Sequence, residues 1–100
     1  MKVTALAPAM GAEITGLDLA KGDFKSGLID DIRAVWLEHH LLVLRDQNLS
    51  PQRQLELARA IGEPDIYPFL EGLDGLPEIT SVLKREDETV NFGGVWHTDT

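Results

Sequence analysis

His40-Leu41-Leu42-Val43-Leu44-Arg45-Asp46-Gln47 is the stretch on which the fold turns. Four consecutive aliphatic residues, Leu41 to Leu44, are too few for a helix and end in a polar exit, so the run predicts a buried strand. Just upstream, Leu28, Ile29, Ile32, Val35 and Trp36 recur at helical spacing and predict one apolar stripe. Ser26 is the expected N-cap of that helix, and Asp30 and Asp31 suit its positive N-terminal end. His39 and His40 fall at its C-terminal end, where polar or cationic groups meet the helix dipole favourably. Just downstream, Ser50-Pro51 predicts a second helix, with Ser as N-cap and Pro at the first helical position. Leu55, Ala58 and either Leu57 or Ile61 supply its buried face, and Gly62 followed by Pro64 stops it.

Further out the signals are shorter. Lys2 to Leu6 predicts a strand, Pro8 and Gly11 a turn, and Ala12 to Thr15 a second strand ended by Gly16. Residues Asp65 to Pro77 contain two Pro and two Gly and predict a loop. Ile79 to Leu83 is a candidate strand, and Lys84 to Glu88 a solvated charged stretch. Asn91-Phe92-Gly93-Gly94 is a flexible approach to Val95-Trp96-His97-Thr98-Asp99-Thr100. Trp36 and Trp96 are expected to pack, and Arg45 and Asp46 to form a structural pair.

Composition bounds the function. The chain has 100 residues, 43% of them hydrophobic, which suffices for one small domain over residues 1–100. A net charge of −8 argues against a nucleic-acid partner and against docking on an anionic membrane, since both need surplus Lys and Arg. No apolar run approaches the ~18 residues of a membrane span, and the short N-terminal apolar run does not make a secretory signal, so a cytoplasmic location is expected. There is no cysteine, so any metal must be held by His, Asp or Glu, which favours iron or manganese over structural zinc.

His97 and Asp99 carry the chemistry. On a helix, residues two apart point about 200° away from each other. On extended chain they share a face, because side chains alternate. An extended segment therefore aims the imidazole and the carboxylate at one point. That supplies two legs of a 2-His-1-carboxylate facial triad, which leaves open positions on iron for oxygen. A bare His-x-Asp arises by chance in on the order of one in ten chains of this length, so its setting matters more than the tripeptide.

The setting is specific. Trp96-His97-Thr98-Asp99 resembles the metal motif of the taurine dioxygenase (TauD/TfdA) family. Gly11 to Leu19 resembles that family's N-terminal strand and turn, His40 to Gln47 its first core strand and exit, and Ser50 to Glu63 the following helix. The blocks occur in the family's order over nearly the whole chain. The resemblance implies a mainly β protein with helices (α+β), the N-terminal part of a double-stranded β-helix, or jelly roll. It implies an iron(II)- and 2-oxoglutarate-dependent dioxygenase that hydroxylates a small organic substrate with O2 and releases succinate and CO2. His97 and Asp99 are the implied Fe(II) ligands. A second His ligand and the Arg that pairs with 2-oxoglutarate are expected beyond Thr100, so residues 1–100 alone are expected to be inactive. Tyr67 and Asn91 are the candidate substrate contacts. Tyr67 and Leu70 stand where taurine-using members hold sulfonate with a His and a Tyr, which does not support taurine.

Two other readings stay open at this level. One is an inactive, shortened family remnant acting as a binding or partner-dependent module; unpaired strand edges would favour self-association, so a homo-oligomer is an option. The other is a metal-dependent hydrolase or a cupin using His97 and Asp99 with other ligands, against which stands the lack of a His-x-His pair.

Overall fold

Residues 1–98 are described by a computed structural model, in which the chain forms two compact units, Met1–Asp65 and the residues from Ile66 onward. In the first unit, Lys2–Ala5 (β1) and Ala12–Thr15 (β2) pair antiparallel, with Val3 opposite Ile14 and Ala5 opposite Ala12. The connection closes through the Leu6 N–H, which donates to the Gly11 carbonyl at 2.9 Å. Along β2, Ala12 and Ile14 are buried while Thr15 is exposed, the alternation of a strand with one face on a core.

The chain then crosses over through α1 (Leu28–His39) to β3 (Leu42–Val43). β3 lies parallel to β2, with Ala12 opposite Leu42, giving the sheet order β1-β2-β3. A parallel neighbour needs such a crossover, because no hairpin can return the chain in the same direction. Helix α2 (Pro51–Ile61) follows. Ile29 and Ile32 of α1, Leu55 of α2 and Leu19 of the crossover close over Ala12 and Ile14 to make the core.

Side chains from distant positions pin these elements. The Gln47 carboxamide accepts from the Leu19 N–H at 2.8 Å and donates to the Leu17 carbonyl at 3.0 Å, tying the exit of β3 to the start of the crossover. Arg53 of α2 donates from Nε to the Leu19 carbonyl at 2.8 Å and from its terminal nitrogen to the Gly22 carbonyl. Its guanidinium also lies 3.7 Å from the centre of the Phe24 ring. Arg33 of α1 reaches the last carbonyl of α2, that of Ile61, at 2.8 Å.

The expected elements form with several corrections. Ser50 caps α2, its side chain accepting from the Arg53 N–H at 3.1 Å, and the helix ends at Gly62 as expected. Ser26 does not cap α1; its hydroxyl donates to the Asp23 carbonyl at 2.8 Å, and Gly27 holds the cap position. Trp36 does not enter the core and is 45% exposed, because its indole N–H donates to the His40 carbonyl at 3.1 Å and so stays at the helix end. Leu41 to Leu44 is not a fully buried strand: only Leu42 and Val43 pair, both are half-buried, and Leu41 is exposed, since β3 has one strand neighbour among the described residues. Arg45 does not pair with Asp46; its Nε meets Glu13 Oε1 at 2.6 Å, across the β2–β3 pair.

The mainly β balance is not what the described residues carry: helices of 12 and 11 residues outweigh strands of four, four and two. Ile79 to Leu83 forms no strand, nor do residues 95–98, because neither finds a ladder partner among the described residues. No helix among the described residues is long and apolar enough to cross a membrane.

Candidate functional site

The second unit is organised by turns. The Leu73 N–H donates to the Ile79 carbonyl at 2.8 Å, and the Ile79 N–H to the Leu76 carbonyl at 3.0 Å, folding residues 73–79 back on themselves. Gly72 makes that fold possible: a Cβ there would stand 2.6 Å from the Pro77 carbonyl carbon and Cα, closer than atoms can approach. Before the turn lies Tyr67, whose ring meets Phe69 edge-on at 5.4 Å and Phe92 at 6.3 Å. Such edge-to-face contacts suit the ring quadrupoles. They bring Phe92, next to the Gly93-Gly94 pair, against the residues after α2.

Gly93 turns the chain with φ +69°, a conformation side chains with a Cβ rarely adopt. His97 follows within contact distance, since a Cβ on Gly93 would meet the imidazole Cε1 at 3.5 Å. The His97 Nδ1 lies 2.7 Å from the Val95 carbonyl oxygen. A carbonyl only accepts, so Nδ1 is the donor in this contact. Metal-ligating imidazoles are commonly set in this way, one nitrogen fixed by a backbone carbonyl and the other directed at the ion.

His97 and Thr98 line a cleft of about 560 Å³ together with Tyr67, Leu70, Phe92 and Val95. Trp96 is fully exposed and does not line it, so the packing expected of Trp96 is not made; no residue from 66 to 98 is fully buried, and the unit offers no core to receive an indole.

Of the residues singled out from sequence, the structure brings Tyr67 and His97 to one cleft. Asn91 lines a neighbouring cleft, where its side-chain oxygen accepts from Lys84 Nζ at 2.5 Å. Asp99 lies outside the described residues. Among the described residues no three His, Asp or Glu side chains come together. His39 and His40 belong to the end of α1 in the other unit, where the His40 N–H donates to the Trp36 carbonyl, in keeping with a capping role. Phe92 and the Val95 carbonyl were not marked by sequence reasoning. Phe92 sits in a Gly-rich approach that reads as a linker, and a main-chain acceptor leaves no trace in the residue code.

The family described as "Taurine catabolism dioxygenase TauD, TfdA family" matches residues 2–100. An alpha-ketoglutarate-dependent sulfate ester dioxygenase from Pseudomonas putida is 29% identical over 99% of this chain and 32% of its own length. An (S)-phenoxypropionate/alpha-ketoglutarate-dioxygenase from Sphingobium herbicidovorans is 40% identical over 60% of this chain and 20% of its own length. The crystal structure of a taurine dioxygenase from Burkholderia xenovorans superimposes with a TM-score of 0.69 at 30% identity, over 84% of this chain and 31% of that one. The two curated relatives are alpha-ketoglutarate-dependent dioxygenases. The chain belongs to the TauD/TfdA family. It spans about a third of the length of the sulfate ester enzyme.

Proposed function

We propose that the protein is an iron(II)- and 2-oxoglutarate-dependent dioxygenase and that residues 1–100 are the N-terminal portion of its single jelly-roll domain. The observation that carries the reading is His97: it stands in a family match over residues 2–100, and its Nδ1 is held by the Val95 carbonyl at 2.7 Å. His97 and Asp99 are the iron ligands of this chain; both are oxygen- or nitrogen-donors of the kind a non-haem iron(II) site uses, and the chain has no thiolate to compete. The second His ligand and the 2-oxoglutarate Arg come from the rest of the protein. When bound, iron and 2-oxoglutarate supply the oxidation, in which one atom of O2 goes to a substrate C–H to give the alcohol and the other to succinate, with release of CO2.

The chain's own residues orient and shield. The Val95 carbonyl holds the His97 Nδ1, and Gly93, at φ +69°, turns the chain just before that ring. Tyr67 lines the cleft beside His97 and contacts substrate; Asn91, its oxygen occupied by Lys84, contributes from the adjoining cleft. The substrate is a small organic molecule, and sulfate ester and phenoxypropionate relatives support an anionic one. A cytoplasmic location belongs to the same reading.

The test is anaerobic addition of iron(II) and 2-oxoglutarate to the complete protein. A weak visible charge-transfer band that requires both is expected, and His97→Ala should abolish it. No band in the wild-type protein, or an unchanged band in the variant, would overturn the assignment.

A further inference from the structure

The sheet of the first unit ends at β1, on an edge that pairs with no strand among the described residues. Which backbone groups that edge offers follows from its neighbours. The Ala12 N–H donates to the Leu41 carbonyl, so Ala12 turns its backbone groups toward β3, and Glu13, next along β2, turns its own toward β1. Glu13 stands opposite Thr4, and Thr15 opposite Lys2. By the same alternation Val3 and Ala5 direct their N–H and C=O groups away from β2, to the open edge. The apolar face runs out at the same place. Val3 and Ala5 share the face of Ile14 and Ala12, their opposites in the register. Ile14 is 2% exposed, but Val3 is 37% and Met1 55% exposed, so the core surface continues past β1 and is left bare there. On the other face stands Lys2, which is exposed and forms no ion pair among the described residues.

We propose that β1 pairs with β1 of a second copy of this chain, antiparallel about a two-fold axis at Val3, so that the sheet continues from one copy into the next. The edge is complementary to itself. In that register each Val3 N–H donates to the partner's Val3 carbonyl, and each Ala5 N–H to the partner's Met1 carbonyl. Val3 packs on the partner's Val3 and extends the apolar face, and an isologous contact of this kind closes at two copies. A lysine on an edge strand ordinarily deters pairing. Here Lys2 falls in one row with the partner's Thr4 and the partner's Glu13, two strand spacings or about 10 Å from the latter's backbone, a span that a lysine and a glutamate side chain bridge together. In a chain of net charge −8 this basic residue sets an attraction at the edge, and symmetry repeats it. A foreign strand would have to match the apolar row and supply the acid; a second copy does both.

The experiment is sedimentation of the complete protein over a range of concentrations. A dimer is expected, and because β1 is only 4 residues long it should dissociate on dilution. Val3→Pro removes an outward N–H and leaves the β1–β2 ladder intact, since proline is tolerated on a strand edge. It should weaken the dimer at least about tenfold, because symmetry doubles the hydrogen bond lost, while circular dichroism stays unchanged. Added salt should weaken the wild-type dimer, and Lys2→Glu should weaken it at low salt. Val3→Cys locates the contact. Cα atoms across a hydrogen-bonded antiparallel pair lie ~5.5 Å apart, within disulfide reach, so mild oxidation should join two copies through this position. Thr4→Cys, set off the axis along the strand in each copy, lies beyond that reach and should not crosslink. A monomer at every concentration, a dimer indifferent to Val3→Pro, or crosslinking through Thr4→Cys as readily as through Val3→Cys overturns the proposal.

Discussion

Replacing Arg53 by Ala tests the packing of the first unit most directly. The Arg53 side chain is 21% exposed and does three things at once. It donates to the Leu19 and Gly22 carbonyls, stacks at 3.7 Å on Phe24, and meets Glu56 Oε2 at 2.7 Å one turn along the helix. A hydrogen bond from a charged donor contributes about 1.5–3 kcal/mol, and truncation leaves each carbonyl to find water instead. The stacking adds about 0.5–1 kcal/mol at a partly exposed site. The Glu56 pair, whose carboxylate side is 59% exposed, adds only a few tenths, ~0.3 kcal/mol. Discounting for water reaching the Gly22 side, the loss should be about 3 kcal/mol, a large share of the ~5–15 kcal/mol that holds a domain together. Arg53→Lys keeps the charge but not the fork, and should recover about half of that loss. Urea unfolding of the complete protein, followed by circular dichroism at unchanged slope, measures it. A double-mutant cycle with Phe24→Ala should return a coupling of roughly 0.5–1 kcal/mol. A loss below ~0.5 kcal/mol for Arg53→Ala, the range of ordinary surface changes, would refute the idea that this side chain ties α2 to the crossover.

Other positions give smaller or more local effects. Ser50→Ala removes the α2 cap and should cost about 1 kcal/mol, read in the same urea titration, with Ser50→Asp restoring most of it. Glu13→Ala breaks the ion pair with Arg45, whose side chain is 66% exposed, and should cost no more than ~1 kcal/mol and less in high salt. Gly72→Ala forces a Cβ into Pro77 and should cost about 1–3 kcal/mol as overpacking; faster amide exchange at Leu73 and Ile79 would locate the damage. Gly93→Val should weaken iron(II) binding, because it opposes the φ of +69° and crowds the His97 ring. Gly93→Asn, which tolerates that conformation better, should weaken it less; equal affinities in a chelator competition would sink the role given to Gly93.

Much of the fold was legible because its signals are local. A helix start is written in three or four neighbouring residues, so Ser50-Pro51 and the stop at Gly62 place α2 within a residue. The hairpin strand Ala12–Thr15 was legible from its own composition and its closing Gly16. Where two local options competed, the residue code did not choose between them. Ser26 had both a helix N-terminus and the Asp23 carbonyl within reach and took the carbonyl. Trp36 fits the apolar stripe of α1, but its indole N–H needed an acceptor and found it at the helix end. Of the candidate site, the sequence marked Tyr67 and His97, which the structure brings to one cleft, while Asp99 lies outside the described residues. The Phe92 wall was not legible, because it depends on a ring contact between residues far apart in sequence.

By itself, then, the order of residues determined the two helices, the β2 strand, the absence of thiolate ligands and the family to which the chain belongs. Tertiary structure decided which partner each long side chain takes. Arg45 reaches Glu13 across 32 positions, Gln47 reaches Leu19 across 28, and Arg53 reaches Leu19 across 34. Such pairings depend on the crossover that lays β3 beside β2. Loop closure, not local propensity, sets which donors and acceptors meet, and the same holds for the turn that brings Tyr67 and Phe92 around one cleft.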